Sequence, residues 1–279
     1  DVKCPVLQRM TDMIAHRGPD SEGHYIDEHA ALGHRRLSII DLGGGQQPIY
    51  NEDGSKVITF NGEIYNYQTL REELIAAGHT FTTKSDTEVL LHGYEQWGVD
   101  LLQRVRGMFT FVIWDKNKQE LFGARDHFGI KPFYYAKMNG TFMYASEIKS
   151  LLRHPDFVKE LNAEALKPYM TFQYPAIGET FFKGVYKLPE GHYFTYRDGK
   201  MDIHRYYDED FREGKQKLGE LVNSIDQTVC DSVKAHQIAD VEVGSFLSSG
   251  VDSSYVADVA RPQHTYSIGF GKGTYNESQ

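Results

Sequence analysis

Apolar positions change period several times along the chain, and each change marks out an element. Leu7, Met10, Met13 and Ile14 recur at helical spacing and predict a short opening helix. HYIDEHAALGHRRLSIID alternates loosely and KVITF (56–60) is a compact apolar run, so both read as strand. NYQTLREELIAAGH predicts a helix with Asn66 as N-cap and Leu70, Leu74 and Ile75 on the buried stripe. SDTEVLLHGYEQWG predicts a second helix, opened by a capping box from Ser85 to Glu88. FTFVIWD and ELFGARD follow as strands joined by a polar turn at Lys116–Lys118. FYYAK and TFMYAS are joined by Asn139-Gly140, and HYFTY and MDIHRYY by Asp198-Gly199, both hairpin signals. Strands and helices fall in separate runs, which predicts an α+β layered domain of antiparallel sheets over residues 1–207.

The pattern then shifts. DEDFREGKQK (208–217) is a charged linker, and Leu218, Leu221, Val222, Ile225, Val229 and Val233 space out a long amphipathic helix. VEVGSFL (241–247) reads as a strand, SSGVDSS as a turn, SYVADVA as a helix and TYSIGF (265–270) as a second strand. Strand, loop, helix, strand is one βαβ unit, the beginning of a parallel α/β domain over 208–279. One unit cannot cover both faces of a parallel sheet, so that domain is expected to extend further.

Composition narrows the classes. The chain has 279 residues, 40% hydrophobic and 25% charged, which suits a globular protein with a real core. A net charge of −9 argues against nucleic acid as a main partner. No apolar stretch approaches membrane-spanning length, and no basic-then-apolar N-terminus suggests secretion. Cys4 and Cys230 are the only cysteines, too few for a disulfide framework, so a reducing compartment and a cytoplasmic location are expected.

Two stretches carry candidate chemistry. In a βαβ unit the loop after the first strand sits at a helix N-terminus, where free N–H groups favour an anion. Ser248, Ser249 and Gly250 would let a backbone approach pyrophosphate, and Asp252 could hold Mg²⁺. The alternative is an ordinary serine-capped helix; the Walker spacing is absent. In FNGEIYN (60–66) a strand is expected to end at Phe60, with Asn61-Gly62 as a tight turn. An Asn amide beside a Gly N–H supplies the two donors an oxyanion hole needs, though a plain hairpin turn is the other reading. Glu63 is either a surface carboxylate or a partner for an ammonium, and Asp86 has a second reading as a first-turn acid. Arg36, in HRRLSIID, could take a carboxylate bidentately, whereas a lone strand arginine more often faces solvent.

HRGPD (16–20), RRLSIID (35–41), FNGEIYN, SDTEV (85–89), RGMFTFVIWD (106–115), ARDHFGIKPFYY (124–135), ASEIKSL (145–151) and FLSSGVDSS (246–254), taken in order, resemble glutamine-dependent asparagine synthetases. The resemblance implies a class II glutamine amidotransferase domain with the N-terminal-nucleophile α-β-β-α sandwich, followed by the start of an ATP-pyrophosphatase-like synthetase domain. It implies that Arg36 and the backbone near Ile39 hold the glutamine carboxylate and that Glu63 and Asp86 hold its ammonium. Asn61 and the Gly62 N–H would stabilise the oxyanion. Leu247 and Ile268 would lie against ATP, with Ser248, Gly250, Asp252 and Ser253 around its pyrophosphate and Mg²⁺. Ammonia tunnelled from the first site would convert β-aspartyl-AMP to asparagine, so glutamine, aspartate and ATP are the implied partners, and a homodimer is compatible with the family.

The family's members begin Met-Cys-Gly, and the freed N-terminal cysteine is their nucleophile. This chain begins Asp1-Val2-Lys3-Cys4, and Cys4 reads as a helix-entry residue without a free α-amine. The expectation is therefore a longer native chain, with this stretch inactive alone; a short inactive gene product is the alternative. Rival functions are a β-lactam synthetase-like paralogue, another class II amidotransferase, and a glutamine-binding module.

Overall fold

The computed structural model describes residues 3–174, 176–248 and 250–269. Ser249 and Phe270, both named above, lie outside the described residues. The chain divides into two compact units, residues 1–209 and 210–279.

The first unit is layered. Its larger sheet has six strands in the order β11-β10-β6-β5-β4-β3. These are β3 (Ile49–Tyr50), β4 (Lys56–Ile64), β5 (Gly107–Asp115), β6 (Glu120–Arg125), β10 (His192–Arg197) and β11 (Lys200–Arg205), every pairing antiparallel. Facing it are the hairpin β1 (Ser21–Ile26)–β2 (Ala31–Arg36) and a sheet of β8 (Thr141–Ala145), β7 (Tyr134–Met138) and β9 (Val185–Lys187). Tyr25, Leu32, Val57, Val112, Trp114 and Phe194 interdigitate between the layers, with Tyr135, Phe142 and Tyr144 packed against them. Thr59 Oγ1 bonds Tyr144 Oη across the gap at 3.1 Å. Strand alternation sends Ala136, Met138, Met143 and Ala145 the other way, into a second cluster with Leu151 and Met10.

Helices cover both outer faces. α2 (Tyr67–Ala76) and α3 (Asp86–Trp97) pack together, with α3 against β4. α1 (Lys3–Asp12) and α4 (Ile148–Leu151) pack together on β2 and β8. The short α5 (Leu166–Phe172) precedes β9. Helix, sheet, sheet, helix is the α-β-β-α sandwich.

Local chemistry explains the hairpins. Asn139-Gly140 has φ of 51° and 84°, and Asp198-Gly199 has 51° and 75°, the left-handed pair a two-residue turn requires. A buried Arg125-Asp126 pair organises the loop after β6. Asp126 accepts from the backbone N–H of Phe109 (3.2 Å), Phe128 (3.2 Å), Ile130 (2.9 Å) and Lys131 (2.9 Å). Arg125 donates to the carbonyls of Lys131 (2.7 Å), Leu188 (2.7 Å) and Gly129 (2.5 Å).

Three local expectations are corrected. β4 does not end at Phe60; it runs on through Asn61-Gly62, because Gly62 pairs with Phe109 of β5. A Cβ on Gly62 would lie 2.1 Å from the Met108 carbonyl, so this glycine serves close strand approach and not a turn. Asn66 makes no capping bond to α2; its amide bridges Arg104 O (2.8 Å) and Arg106 N (2.9 Å). Ser85 does cap α3, accepting from Thr87 N at 3.2 Å, but Glu88 does not close a box. Its carboxylate is taken by Thr82 and Thr83, whose N–H groups donate at 2.7 and 2.6 Å.

In the second unit, α6 (Leu218–Ala235) spans the expected long helix. The strand expected over 241–247 contracts to β12 (Ser245–Phe246), which pairs in parallel with β13 (Thr265–Tyr266). Its single described neighbour matches only two residues. α7 (Val251–Ala260) starts inside the expected turn, so Asp252 and Ser253 belong to its first turn. No described helix is long and apolar enough to cross a membrane.

Phe194 is fully buried between the layers, whereas Ile203 on the edge strand is 38% exposed. Phe194→Ala should cost about 3–5 kcal/mol in denaturant unfolding, and Ile203→Ala about 1 kcal/mol or less. Equal losses would contradict the interlayer core.

Candidate active site

β3 pairs with β4 only at Ile58 and Val57, which leaves the far half of the outer β4 edge without a strand neighbour. Backbone groups there need partners, and side chains from three directions supply them. Gln47 Oε1 accepts from Phe60 N (2.6 Å) and its Nε2 donates to Phe60 O (3.0 Å), as a strand residue would. His34 Nε2 lies 2.9 Å from the same carbonyl. Four residues on, Ile64 N donates to Asp86 Oδ2 at 3.0 Å. The alternation of strand bonding turns the Gly62 N–H, midway between, to this same edge.

Side chains alternate in the other sense. Val57 and Thr59 face the opposing sheet, and Asn61 and Glu63 continue that row. They line a cavity of about 1280 Å³ that Arg36, Ile39, Gly62 and Asp86 also border. All six residues singled out in the N-terminal half thus line one cavity. The Asn61 side-chain nitrogen is buried there with no hydrogen-bond partner. A buried unmet donor costs about 1–3 kcal/mol, so its retention marks a position where a ligand acceptor would be welcome.

Arg36 does not face solvent; it is 6% exposed at the end of β2. Its Nη2 donates to the carbonyls of Ile40 (2.9 Å) and Asp41 (2.7 Å), pinning the loop that carries Ile39. Asp86, 4% exposed, is no ordinary first-turn acid. Burial pushes its carboxyl up to about 6, helped by the nearby Glu63 charge and opposed by the Ile64 N–H bond. Two carboxylates therefore stand beside one another at the far end of β4 and the start of α3.

Sequence reasoning missed Gln47, His34 and Lys131, which line the same cavity. Desolvation pushes His34 down to about 4, so the ring is neutral at pH 7. Its contact with the Phe60 carbonyl then places the proton on Nε2, leaving Nδ1 as a buried acceptor. Lys131 is brought in by the Arg125-Asp126 loop; burial lowers its ammonium while Glu63 opposes that shift. The adjacent arginine and aspartate in ARDHFGIK were the available signal. Cys4 is exposed on α1, and neither cysteine lines the cavity.

In the second unit, Ser253 Oγ organises the loop. It accepts from Ser248 N (3.1 Å), lies 3.0 Å from Ser248 Oγ and donates to Gly250 O (3.1 Å). Gly250 is the N-cap of α7, with nothing nearer than 3.5 Å to the space a Cβ would take. Asp252 stands in the first helical turn. Leu247 is half-buried and Ile268 is 77% exposed.

The two shifted groups pull acid stability in opposite directions. His34 is depressed, so the native state binds fewer protons than the unfolded chain between about pH 4 and 6.5, and stability falls on acidification through that window. Asp86 is raised, so stability falls as pH increases from about 4 to 6. Relative to the wild type, His34→Gln should gain stability as pH drops from 6.5 to 4, and Asp86→Asn as it rises from 4 to 6. Denaturant melts across that range check both slopes; flat differences would contradict the burial account.

The glutamine amidotransferase domain family matches residues 1–207, and the asparagine synthase family matches residues 224–279. A glutamine-hydrolysing asparagine synthetase of Bacillus subtilis is 46% identical over 98% of this chain and 44% of its own length. The amidase chry2 of Gibberella zeae is 36% identical over 90% of this chain and 38% of its own length. The chain spans less than half the length of either relative. A solved glutamine phosphoribosylpyrophosphate amidotransferase from B. subtilis, complexed with ADP and GMP, is 19% identical. It aligns over 88% of this chain and 52% of that one, with a TM-score of 0.45. With its layered N-terminal unit matched over residues 1–207, the chain belongs to the glutamine amidotransferase domain family and carries behind that unit a segment similar to the asparagine synthase family.

Proposed function

We propose that the interlayer cavity binds glutamine for hydrolysis of its side-chain amide, and that the ammonia serves an ATP-dependent amidation of aspartate to asparagine. The observation that carries the first half is the pair of donors on β4: the unmet Asn61 Nδ2 and the neighbouring Gly62 N–H. Two donors on one rigid strand suit the negative oxygen of a tetrahedral intermediate, where preorganised hydrogen bonds act without reorganisation. Arg36 would take the α-carboxylate with the backbone near Ile39. Glu63 and Asp86 would take the α-ammonium, whose charge also offsets the cost of ionising Asp86.

The second half rests on the α7 N-terminus and the matched asparagine synthase segment. Ser248, Gly250 and Ser253 would cradle the ATP pyrophosphate, with Leu247 and Ile268 against the nucleotide. Asp252 fits Mg²⁺, which characteristically takes one or two carboxylates plus phosphate oxygens. ATP there would activate the aspartate side chain as β-aspartyl-AMP for attack by ammonia. The likeness to an amidase favours a second reading, in which the cavity hydrolyses an amide with no ATP-dependent amidation of aspartate behind it. Aspartate-stimulated pyrophosphate release separates the two.

Glutamine titration by calorimetry tests the pocket. Arg36→Ala should weaken binding by about ten- to a hundredfold. Because the ammonium favours ionised Asp86, affinity should rise with pH through about 6 and then level off. Asp86→Asn should bind weakly with no such rise. Glutamine binding that ignores both substitutions would overturn the assignment. Asp252→Asn should remove the Mg²⁺ dependence of ATP binding while leaving glutamine affinity unchanged.

A further inference from the structure

On the side of α3 away from the cavity, four residues from three segments converge. Glu52 comes from the β3–β4 turn, His79 from the α2–α3 connection, and His92 and Glu95 from successive turns of α3. One ligand atom from each lies within 4.8 Å of all the others. His92 Nδ1 is 3.0 Å from Glu95 Oε2 and 3.5 Å from Glu52 Oε2. His79 Nδ1 is 3.7 Å from Glu52 Oε1 and 3.9 Å from Glu95 Oε2. A tetrahedral zinc ion with bonds of about 2.0–2.1 Å sets its ligand atoms about 3.3 Å apart, so drawing in even a pair at the 4.8 Å limit takes about 1.5 Å shared between two side chains.

The surroundings orient these groups for an ion. His79 Nε2 is 3.2 Å from Gln96 Oε1, and His92 Nε2 is 3.5 Å from Glu88 Oε1. The acceptor behind His79 favours its Nε2–H tautomer and leaves its Nδ1 lone pair for the centre, as metal-binding histidines use it. His92 Nε2, by contrast, has no hydrogen-bond partner and its Nδ1 donates to Glu95 Oε2, so an ion there would displace that proton. Asn51 Nδ2 (2.7 Å) and Lys56 Nζ (3.4 Å) hold Glu95 by Oε1, leaving Oε2 for the centre. The Thr80 N–H likewise fixes Glu52 Oε1 at 3.0 Å. His92 is fully buried whereas the Glu52 side chain is 38% exposed, which gives an ion a way in.

We propose that Glu52, His79, His92 and Glu95 form a structural site for a divalent ion of the zinc class, stapling α3 to the β3–β4 turn and the α2–α3 connection. Two imidazoles and two carboxylates suit zinc or cobalt better than magnesium or calcium, which prefer all-oxygen shells. The site is separate from the glutamine cavity, so the two proposals stand or fall independently.

The untagged chain, stripped with EDTA, is titrated with Co²⁺ as a spectroscopic stand-in for Zn²⁺. One equivalent should produce the visible d–d bands of a four-coordinate site, and Zn²⁺ should abolish them. Glu52→Gln and His79→Gln should each weaken binding about tenfold or more, and Glu72→Gln, on exposed α2 surface, should not. Zn²⁺ should raise the melting temperature of the wild type and not of Glu52→Gln, whose melting in EDTA controls for folding. Absent four-coordinate bands, or bands equally strong in Glu52→Gln and His79→Gln, would overturn the site and leave an ion-pair cluster in its place.

Discussion

The candidate site depends on a sheet edge that stops early. β3 covers two residues of β4 and no more, so Phe60, Gly62 and Ile64 present backbone groups where a strand should be. An exposed edge of that kind invites pairing with another chain. Here Gln47 imitates a strand at Phe60 and Asp86 meets the N–H of Ile64. Gly62 sits between them with its N–H turned to the same edge. Pairing with β5 holds that donor rigidly, and the missing side chain lets the Met108 carbonyl come close.

Charge is distributed around this edge with the same economy. Arg36 is fixed by loop carbonyls before any ligand arrives, so little of its motion would be lost on binding. Asp86 is buried against Ile64 N and near Glu63, an environment that an incoming cation improves. His34 is kept neutral, so it adds no competing positive charge beside Arg36. Behind these, Arg125 and Asp126 tie their loop to Phe109 of β5 and to the Leu188 carbonyl just beyond β9, and bring Lys131 to the cavity.

Periodicity made most elements legible. Asn139-Gly140 marked its hairpin because the dipeptide's left-handed preference is local, and the spacing from Leu218 marked α6 because nothing distant overrides it. Asn61-Gly62 carries the same local signature and predicts a turn, since only the partner strand reveals that the glycine relieves a clash. Glu88 has the spacing of a capping box, yet Thr82 and Thr83 outcompete the Ser85 N–H for its carboxylate. Arg36, Asn61, Glu63 and Asp86 stood out through motif resemblance. Gln47 and His34 did not, because each works by reaching a backbone carbonyl far along the chain. The clustering of Glu52 and His79 with His92 is hidden for the same reason.

In the proposed function, β4 offers glutamine two donors from adjacent residues. The most direct measurement is an ¹⁵N-resolved NMR titration with glutamine that follows the Gly62 amide and the Asn61 side-chain NH₂ together. Both resonances should move saturably with one shared dissociation constant, while the Gly140 hairpin amide stays still. Saturable binding that leaves Gly62 and Asn61 unmoved would contradict the account.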